Sequence, residues 1–310
     1  MSSATLPKLR WFIRFCAIGI LPVLFVQLFP SDITLFQLLE SFLIQTLIGG
    51  ILLFAFAVWT KEKLSAISFG TVAIIILIKA FPYYWPFGMG WNGEPDLTIG
   101  HYNLWHHNED PSAAIQAISD QNADIIGIQE LNSAWLDELS ILDKTHPYSF
   151  TVPHDTCCYG IGLYSKYPIT IQDQIDLEKT PALEVEVEVN GRSVKLLYLH
   201  ARPPAFPDQS QSRNKQLEAM GERAKKAKSN WILFGDFNIV PWSIDYQNMV
   251  KESGGEDSRK GFQATFPADY ISLIPIDHVV HSMDMECTGF QSYKLEGSDH
   301  KGIVAGFRFK

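Results

Sequence analysis

The feature that most limits what this chain can become lies at its front. Between Trp11 and Phe87 the sequence is dominated by Leu, Ile, Phe and Val, whereas the remainder carries charges throughout. Three apolar stretches can be drawn, at residues 15–29, 33–59 and 64–80, the last followed by Phe81, Tyr83, Tyr84, Trp85 and Phe87. A bilayer core about 30 Å thick takes roughly 20 residues of helix, so each stretch is close to one crossing in length. A collagen-like, wholly disordered or purely cytosolic chain is excluded. A signal peptide would end in a small-residue cleavage site, and none follows the first stretch.

Basic residues near helix ends are retained on the cytoplasmic side. Lys8, Arg10 and Arg14 precede the first stretch, Lys61 and Lys63 separate the second from the third, and Pro30-Ser31-Asp32 carries no base. The N-terminus is therefore expected inside, with everything after about Phe87 outside the cytoplasmic membrane and residues 81–91 as an interfacial aromatic belt. The organisation implied is a multi-pass membrane domain at 1–88, a juxtamembrane linker at 89–97 and an exterior domain at 98–310. Glu40, with Gln37 and Gln45, falls inside the second stretch. An ionisable residue there is a functional candidate by default, although it also suits contact with neighbouring helices or headgroups. Lys79 is expected to snorkel.

Of the formal net charge of -9, the exterior domain holds the excess, with 19 Lys and Arg against 29 Asp and Glu in residues 98–310. An acidic domain makes a poor general DNA clamp, while a local basic groove stays compatible with these counts. Cys16 lies in the first stretch, which leaves Cys157, Cys158 and Cys287 outside. That odd number has no metal-like spacing. A bridge from Cys157 or Cys158 to Cys287 and unbonded thiols are both open.

Residues 97–105 and 123–130 read as strands, and Asp110-Pro111 as an N-cap with proline at the first helical position of a helix to about Ser119. Residues 133–142 have helical spacing, and 159–164 read as a strand. In 182–189, Leu183, Val185, Val187 and Val189 alternate with Glu184, Glu186 and Glu188, the pattern of a strand with one wet face. Asn190-Gly191 then predicts a hairpin turn into 193–200. A long polar helix at 208–229 and strands at 231–234, 276–281 and 302–309 complete the set. Residues 251–261 look flexible.

Polar residues gather at the ends of the apolar runs: Asn103, Gln129-Glu130, His200, Asp236, Asn238, Asp277-His278 and Asp299-His300. Taken singly, each has a dull explanation as a turn, a cap or a satisfied core histidine. In order, Tyr102-Asn103, Ile128-Gln129-Glu130, Gly235-Asp236-Phe237-Asn238, Ile276-Asp277-His278 and Gly297-Ser298-Asp299-His300 resemble the endonuclease/exonuclease/phosphatase superfamily. The resemblance spans about 97–310 and implies an α/β fold, a four-layer α-β-β-α sandwich of the deoxyribonuclease-like type, here preceded by three transmembrane helices. It implies that Glu130 binds a divalent cation, Mg²⁺ or alternatively Mn²⁺, with Asn103 and Asp299 close by. Asp236 would orient or deprotonate the attacking water, and Asn238 and His200 would hold phosphoryl oxygens. His300 would face the scissile phosphate, with Asp277 fixing its tautomer. In-line attack crowds negative charge onto phosphoryl oxygens, and a cation with placed donors stabilises it.

Two departures bear on substrate. Leu131-Asn132 follow the glutamate where the deoxyribonuclease branch tends to have a basic residue, and the domain is compact for the superfamily. Arg202, on the stiff Ala201-Arg202-Pro203-Pro204 segment, suits a phosphate contact and equally a surface turn. Three spans before such a domain are similar to a membrane-anchored bacterial subgroup that includes the teicoplanin-resistance protein of actinomycetes. That likeness implies lipid-linked phosphates of the cell envelope as substrates, undecaprenyl pyrophosphate foremost. The expectation is a metal-dependent phosphohydrolase with the lipid bilayer and a phosphorylated lipid or other phosphoester as partners, no general DNA binding and no protein partner. The alternatives are an extracytoplasmic nuclease and a catalytically silent anchored binding domain.

Overall fold

The computed structural model describes residues 5–29, 33–85, 90–227, 230–261, 263–268 and 271–310. Pro30-Ser31-Asp32, Phe87 and the end of the long polar helix at 228–229, all used above, lie outside the described residues. The chain forms two compact units, Met1–Tyr84 and Trp85–Lys310.

The first unit holds α1 (Thr5–Leu28), α2 (Thr34–Glu40), α3 (Leu43–Trp59) and α4 (Lys63–Tyr84). α1 and α4 are each long and apolar enough to cross a membrane. The second apolar stretch, expected as one crossing, is broken: α2 and α3 meet at a bend of 67°, so the candidate crossings number two, or three if the bent pair counts as one. Polar residues cluster at the break, where Gln37 and Glu40 lie on the short arm and Ser41 follows it. Lys79 donates from Nζ to the Gln27 carbonyl and lies 3.4 Å from Glu40 Oε1. Opposite charges in an apolar unit offset part of each other's desolvation cost. Arg14 does the same with Glu62, at 2.7 and 3.0 Å through two nitrogens.

The second unit begins with β1 (Leu97–Asn103), α5 (Pro111–Gln121), β2 (Ile125–Gln129), α6 (Ser133–Leu139), β3 (Tyr148–Val152) and β4 (Ile161–Ser165). Next come β5 (Ile169–Leu177), β6 (Thr180–Val189), β7 (Arg192–Leu199), α7 (Pro207–Lys226), β8 (Trp231–Asp236) and α8 (Ile244–Ser253). β9 (Gly255–Asp257), β10 (Asp277–Ser282), β11 (Met285–Lys294) and β12 (Lys301–Phe309) end it. The strands make two six-stranded sheets, in the orders β11-β12-β1-β2-β4-β3 and β5-β6-β7-β8-β10-β9.

Alternation along the strands assigns the layers. Ile99, Ile125, Leu163, Val185, Leu196, Tyr198, Ile232, Phe234, Val279 and Ile303 share one buried cluster drawn from both sheets, the interior of the sandwich. On the outer face of the first sheet, Tyr102, Ile126 and Ile128 pack with Ala114, Ile115 and Ile118 of α5. On the outer face of the second, Leu197, Leu233 and Val280 pack with Leu217 and Met220 of α7 and with Tyr246 and Met249 of α8. The result is the four-layer α-β-β-α sandwich.

The local chemistry behaves as its residues require. Asp110 caps α5 by accepting from the Ala113 amide at 3.2 Å, and Asn190 and Gly191 both take positive φ, 52° and 76°, as a tight β6–β7 turn demands. The face of β6 expected to be wet is partly covered, because Glu184 is held by Arg223 of α7 at 2.9 Å and by Lys195 at 2.5 Å. The stretch expected to be flexible is structured. It ends α8 and forms β9, and Arg259 then bonds Asp257 at 3.3 Å and His278 Nδ1 at 2.6 Å. The cysteines are free.

Candidate active site

Strand direction brings the polar residues to one rim. β1 and β2 run parallel and end at Asn103 and Gln129, and β12 is antiparallel to β1 and begins just after His300. In the other sheet β7 and β8 run parallel and end at Leu199 and Asp236, and antiparallel β10 begins at Asp277, directly opposite Asp236. Glu130 and His200 follow their strands immediately.

Two backbone positions aim the side chains. Glu130 takes φ 60°, a left-handed conformation costly for a residue with a side chain. Gly235, at φ 136°, sits where an added Cβ would meet the Leu199 carbonyl oxygen at 2.1 Å. That space lets Gln129 cross from the first sheet: its amide donates to the Leu199 carbonyl at 2.7 Å and accepts from the Asp236 amide at 3.2 Å. Gln129 thus ties the rim across the two sheets.

Asp277 is buried, and each of its oxygens meets an imidazole. Oδ1 lies 2.8 Å from His101 Nε2 and Oδ2 lies 2.9 Å from His300 Nδ1. Those donors outweigh burial and hold the Asp277 carboxyl far below the usual aspartate range. Burial alone would lower His300, but Asp277 and then Asp236 raise it to about 10, so it carries a proton on each nitrogen at neutral pH. Its Nε2 points toward Asp236, 3.7 Å from Oδ2, and His200 Nε2 stands 3.7 Å from that same oxygen.

Asp236 has the opposite character from Asp277. Burial and then the neighbouring Asp277 charge push its carboxyl well above the ordinary value. Asn238 steadies it, with its backbone amide on Oδ1 at 2.8 Å and its side-chain amide on Oδ2 at 3.2 Å and on the Ala201 carbonyl at 2.9 Å. Burial lowers His200 to about 4, which keeps it neutral, and its Nδ1 is buried without a hydrogen-bond partner.

Around the corner, Glu130 Oε2 accepts from the His106 backbone amide at 2.8 Å and meets its ring Nδ1 at 2.7 Å. Burial raises Glu130, but His200 and the two His106 contacts prevail and bring it below the usual glutamate value. Asp299 is raised, by burial first, and its Oδ1 is buried without a partner, as is the side-chain nitrogen of Asn103. The other end of the Asn103 amide accepts from the Trp105 backbone at 3.0 Å. A cavity of about 260 Å³, lined by His106, Asn132, Trp135 and Glu138 among others, opens beside this corner.

Two groups at the rim could hold a cation. Asp236, Asp277 and His300 bring ligand-type atoms within 4.8 Å of one another, the one such His, Cys, Asp or Glu group among the described residues. Both oxygens of Asp277 are already taken by imidazoles, which leaves this group few free ligand atoms for a cation. Glu130, Asn103 and Asp299 offer oxygens, the donors a hard divalent cation prefers, and the orphaned Asp299 oxygen is a buried acid in need of positive charge. These residues fit a cation of the Mg²⁺ kind.

Of the residues singled out from sequence, Asn103, Glu130, His200, Asp236, Asn238, Asp277, Asp299 and His300 lie at this rim. Arg202 is turned to other partners: its guanidinium donates to the Glu178 carbonyl at 3.0 and 3.2 Å and lies 5.3 Å over the Tyr159 ring, which in turn packs against His200. Gln129 was named among the polar residues at the strand ends but given no role of its own, and His101 and His106 were not singled out, since nothing local marked the two histidines.

The family model for the endonuclease/exonuclease/phosphatase family matches residues 100–300. Among solved structures, TDP2 of D. rerio, determined with a single-strand DNA product, superposes with a TM-score of 0.58 at 18% identity over 68% of this chain and 98% of its own. An endonuclease/exonuclease/phosphatase of Bacteroides vulgatus gives 0.58 at 15% over 69% and 99%. Sphingomyelinase C of Streptomyces griseocarneus gives 0.51 at 16% over 68% and 98%. At such identities these likenesses establish the fold alone. No curated protein matched. With the model matching 100–300, well over half of the 310 residues, the chain belongs to the endonuclease/exonuclease/phosphatase family of phosphoester hydrolases.

Proposed function

We propose that this protein is a Mg²⁺-dependent phosphohydrolase held in the cytoplasmic membrane, with residues 98–310 outside, acting on a lipid-linked phosphate or pyrophosphate of the cell envelope. The observation that carries the chemistry is the Asp236–His300–Asp277 alignment, with Glu130 and Asp299 at the same strand ends.

In this reading Glu130, Asn103 and Asp299 hold the cation, which when bound draws charge from the phosphoryl oxygens. Asp236, with its raised proton affinity, takes the proton of the attacking water. Asn238 fixes the Asp236 carboxylate in one orientation. His300 presents a charged N–H to the phosphoryl oxygens, and Asp277 keeps that ring from turning. Neutral His200 offers its Nε2 on the same side. Arg202, once its bonds to Glu178 are exchanged, is proposed to reach a more distant phosphate.

Membrane placement rests on α1, α4 and the bent α2–α3 pair, and sidedness on the basic residues at 8, 10, 14, 61 and 63. A lipid substrate suits an acidic domain tethered within about ten residues of its last apolar helix. The likeness to the teicoplanin-resistance subgroup supports the same class. The test is to purify the full chain in detergent and offer undecaprenyl pyrophosphate, glycerophospholipids, sphingomyelin and DNA, each with Mg²⁺ or EDTA, beside Asp236→Asn. Mg²⁺-dependent phosphate release from a lipid, absent in the variant, supports the reading. Cleavage confined to DNA overturns the lipid assignment, and an Asp236→Asn variant equal to wild type overturns the site.

A further inference from the structure

We infer that His101 is a positioning residue for the hydrolysis, holding Asp277 from the opposite sheet so that its second oxygen stays on His300. The inference rests on the site proposed above and extends it to a side chain that never meets substrate.

Strand alternation places His101 on the inner face of β1, since Ile99 belongs to the interior cluster and Tyr102 to the outer one. Tyr198 and Asp277 face the same interior from β7 and β10. His101 is 0% exposed, and both ring nitrogens are engaged. Nδ1 lies 3.0 Å from the Tyr198 hydroxyl and Nε2 lies 2.8 Å from Asp277 Oδ1. An ionised carboxylate only accepts, so Nε2 carries the hydrogen, and Nδ1 of the neutral ring then accepts from Tyr198. The order is Tyr198 O–H to His101, His101 N–H to Asp277, and His300 N–H to Asp277.

A histidine serving only to fill the core would have no reason to sit on a charged group. Here the two oxygens of one buried carboxylate are divided between an imidazole of the first sheet and the imidazole that faces the reaction. Without His101, Oδ1 is left buried and without its charge-directed donor, a state costly enough for the carboxylate to rotate or take up a proton. Either change loosens His300. Outer partners that orient metal-ligating side chains by the same kind of bond typically matter by about 10–100-fold when removed, and a loss of that order is the expectation here.

The test uses the full chain in detergent with Mg²⁺ and two probes, bis(4-nitrophenyl) phosphate and undecaprenyl pyrophosphate. His101→Phe is expected to lower kcat by about 10–100-fold with little change in KM, and His101→Gln, which can return an N–H to Asp277, to recover most of it. Tyr198→Phe keeps the ring and the packing and should cost only a few-fold in kcat. The deciding measurement is a double-mutant cycle: in an Asp277→Asn background His101→Phe should add no further loss. A full multiplicative loss there, or wild-type kcat for His101→Phe while Asp236→Asn is inactive, overturns the inference and leaves the proposed site standing. Asp236→Asn turning over both probes as wild type does would instead remove the site itself.

Discussion

Asp236 and Asp277 stand opposite each other across the β8–β10 ladder, yet the proton affinity of one is raised and that of the other lowered. The difference comes from their donors. Asp277 has an imidazole on each oxygen, whereas Asp236 has amide donors from Asn238 and an ionised neighbour. Two carboxyls pushed apart in this way can divide the work of accepting a proton and holding a charged histidine.

Asp236→Asn keeps the shape and removes the base. Loss of positioned acid–base catalysis is expected to lower kcat by about 10²–10⁴-fold. Thermal unfolding of the variant should show only a modest loss of stability, because one of the two Asn238 donors then meets an amide NH2 in place of an oxygen. A variant destabilised in step with its activity would argue for a structural role.

Removal of divalent cations with EDTA should stop turnover and leave the circular dichroism spectrum unchanged. Asp299→Asn should raise the Mg²⁺ concentration needed for half-activity by roughly tenfold or more. An unchanged Mg²⁺ dependence would take Asp299 out of the cation's surroundings.

Gln129→Leu removes the buried amide that serves Leu199 and Asp236. Leaving these backbone groups without partners is expected to cost about 1–3 kcal/mol, seen as a lowered melting temperature of the full chain. Activity should fall as well, since the Asp236 backbone is one of the two groups released.

Acid should weaken the second unit through His278. Its Nδ1 accepts from Arg259 and its Nε2 donates to the Ile239 carbonyl, so the folded ring is neutral, and burial and then Arg259 lower it from 6.5 to about 3. Between those values the unfolded chain binds a proton that the folded one refuses, so stability falls as pH drops from about 6.5 toward 3 and is full above it. Asp257 adds in the same direction: burial raises it, but Arg259 and His278 prevail, so its contribution is lost as pH falls. Melting curves of His278→Gln across this range should be flatter than those of wild type.

Sidedness can be read with a native thiol. Cys157 is exposed, whereas burial pushes Cys158 and Cys287 up to about 11 and slows them. A membrane-impermeant maleimide added to intact cells should label the wild type and not Cys157→Ser. Labelling only after lysis would place residues 98–310 inside.

What the sequence disclosed is what depends on near neighbours. Asp110 before Pro111, Asn190-Gly191 and the apolar runs ending in polar residues each declare their structure within a few positions. β3, β5, β9 and β11, the edge strands of the two sheets, were missed, since an edge strand is covered on one side only and its pattern is mixed with polar residues such as Gln172, Asp173, Gln174, Gln291 and Ser292. The order in residues 251–261 depends on Arg259 meeting His278, 19 positions away. His101 was silent for the same reason at greater range: as one polar residue in an apolar strand it looks like filler, and its meaning lies in a contact 176 positions downstream. The bend between α2 and α3 was hidden because hydropathy records composition and not direction.

The Gln129 crossing narrows the ways in which this enzyme can change its diet. Strand ends joined by Gln129, and again by His101 on Asp277, cannot drift apart to admit a bulkier molecule without opening the interior to water. New preferences must therefore be written in the connecting segments around the mouth, such as those carrying His106, Cys157 and Arg202, while the chemistry beneath them stays fixed.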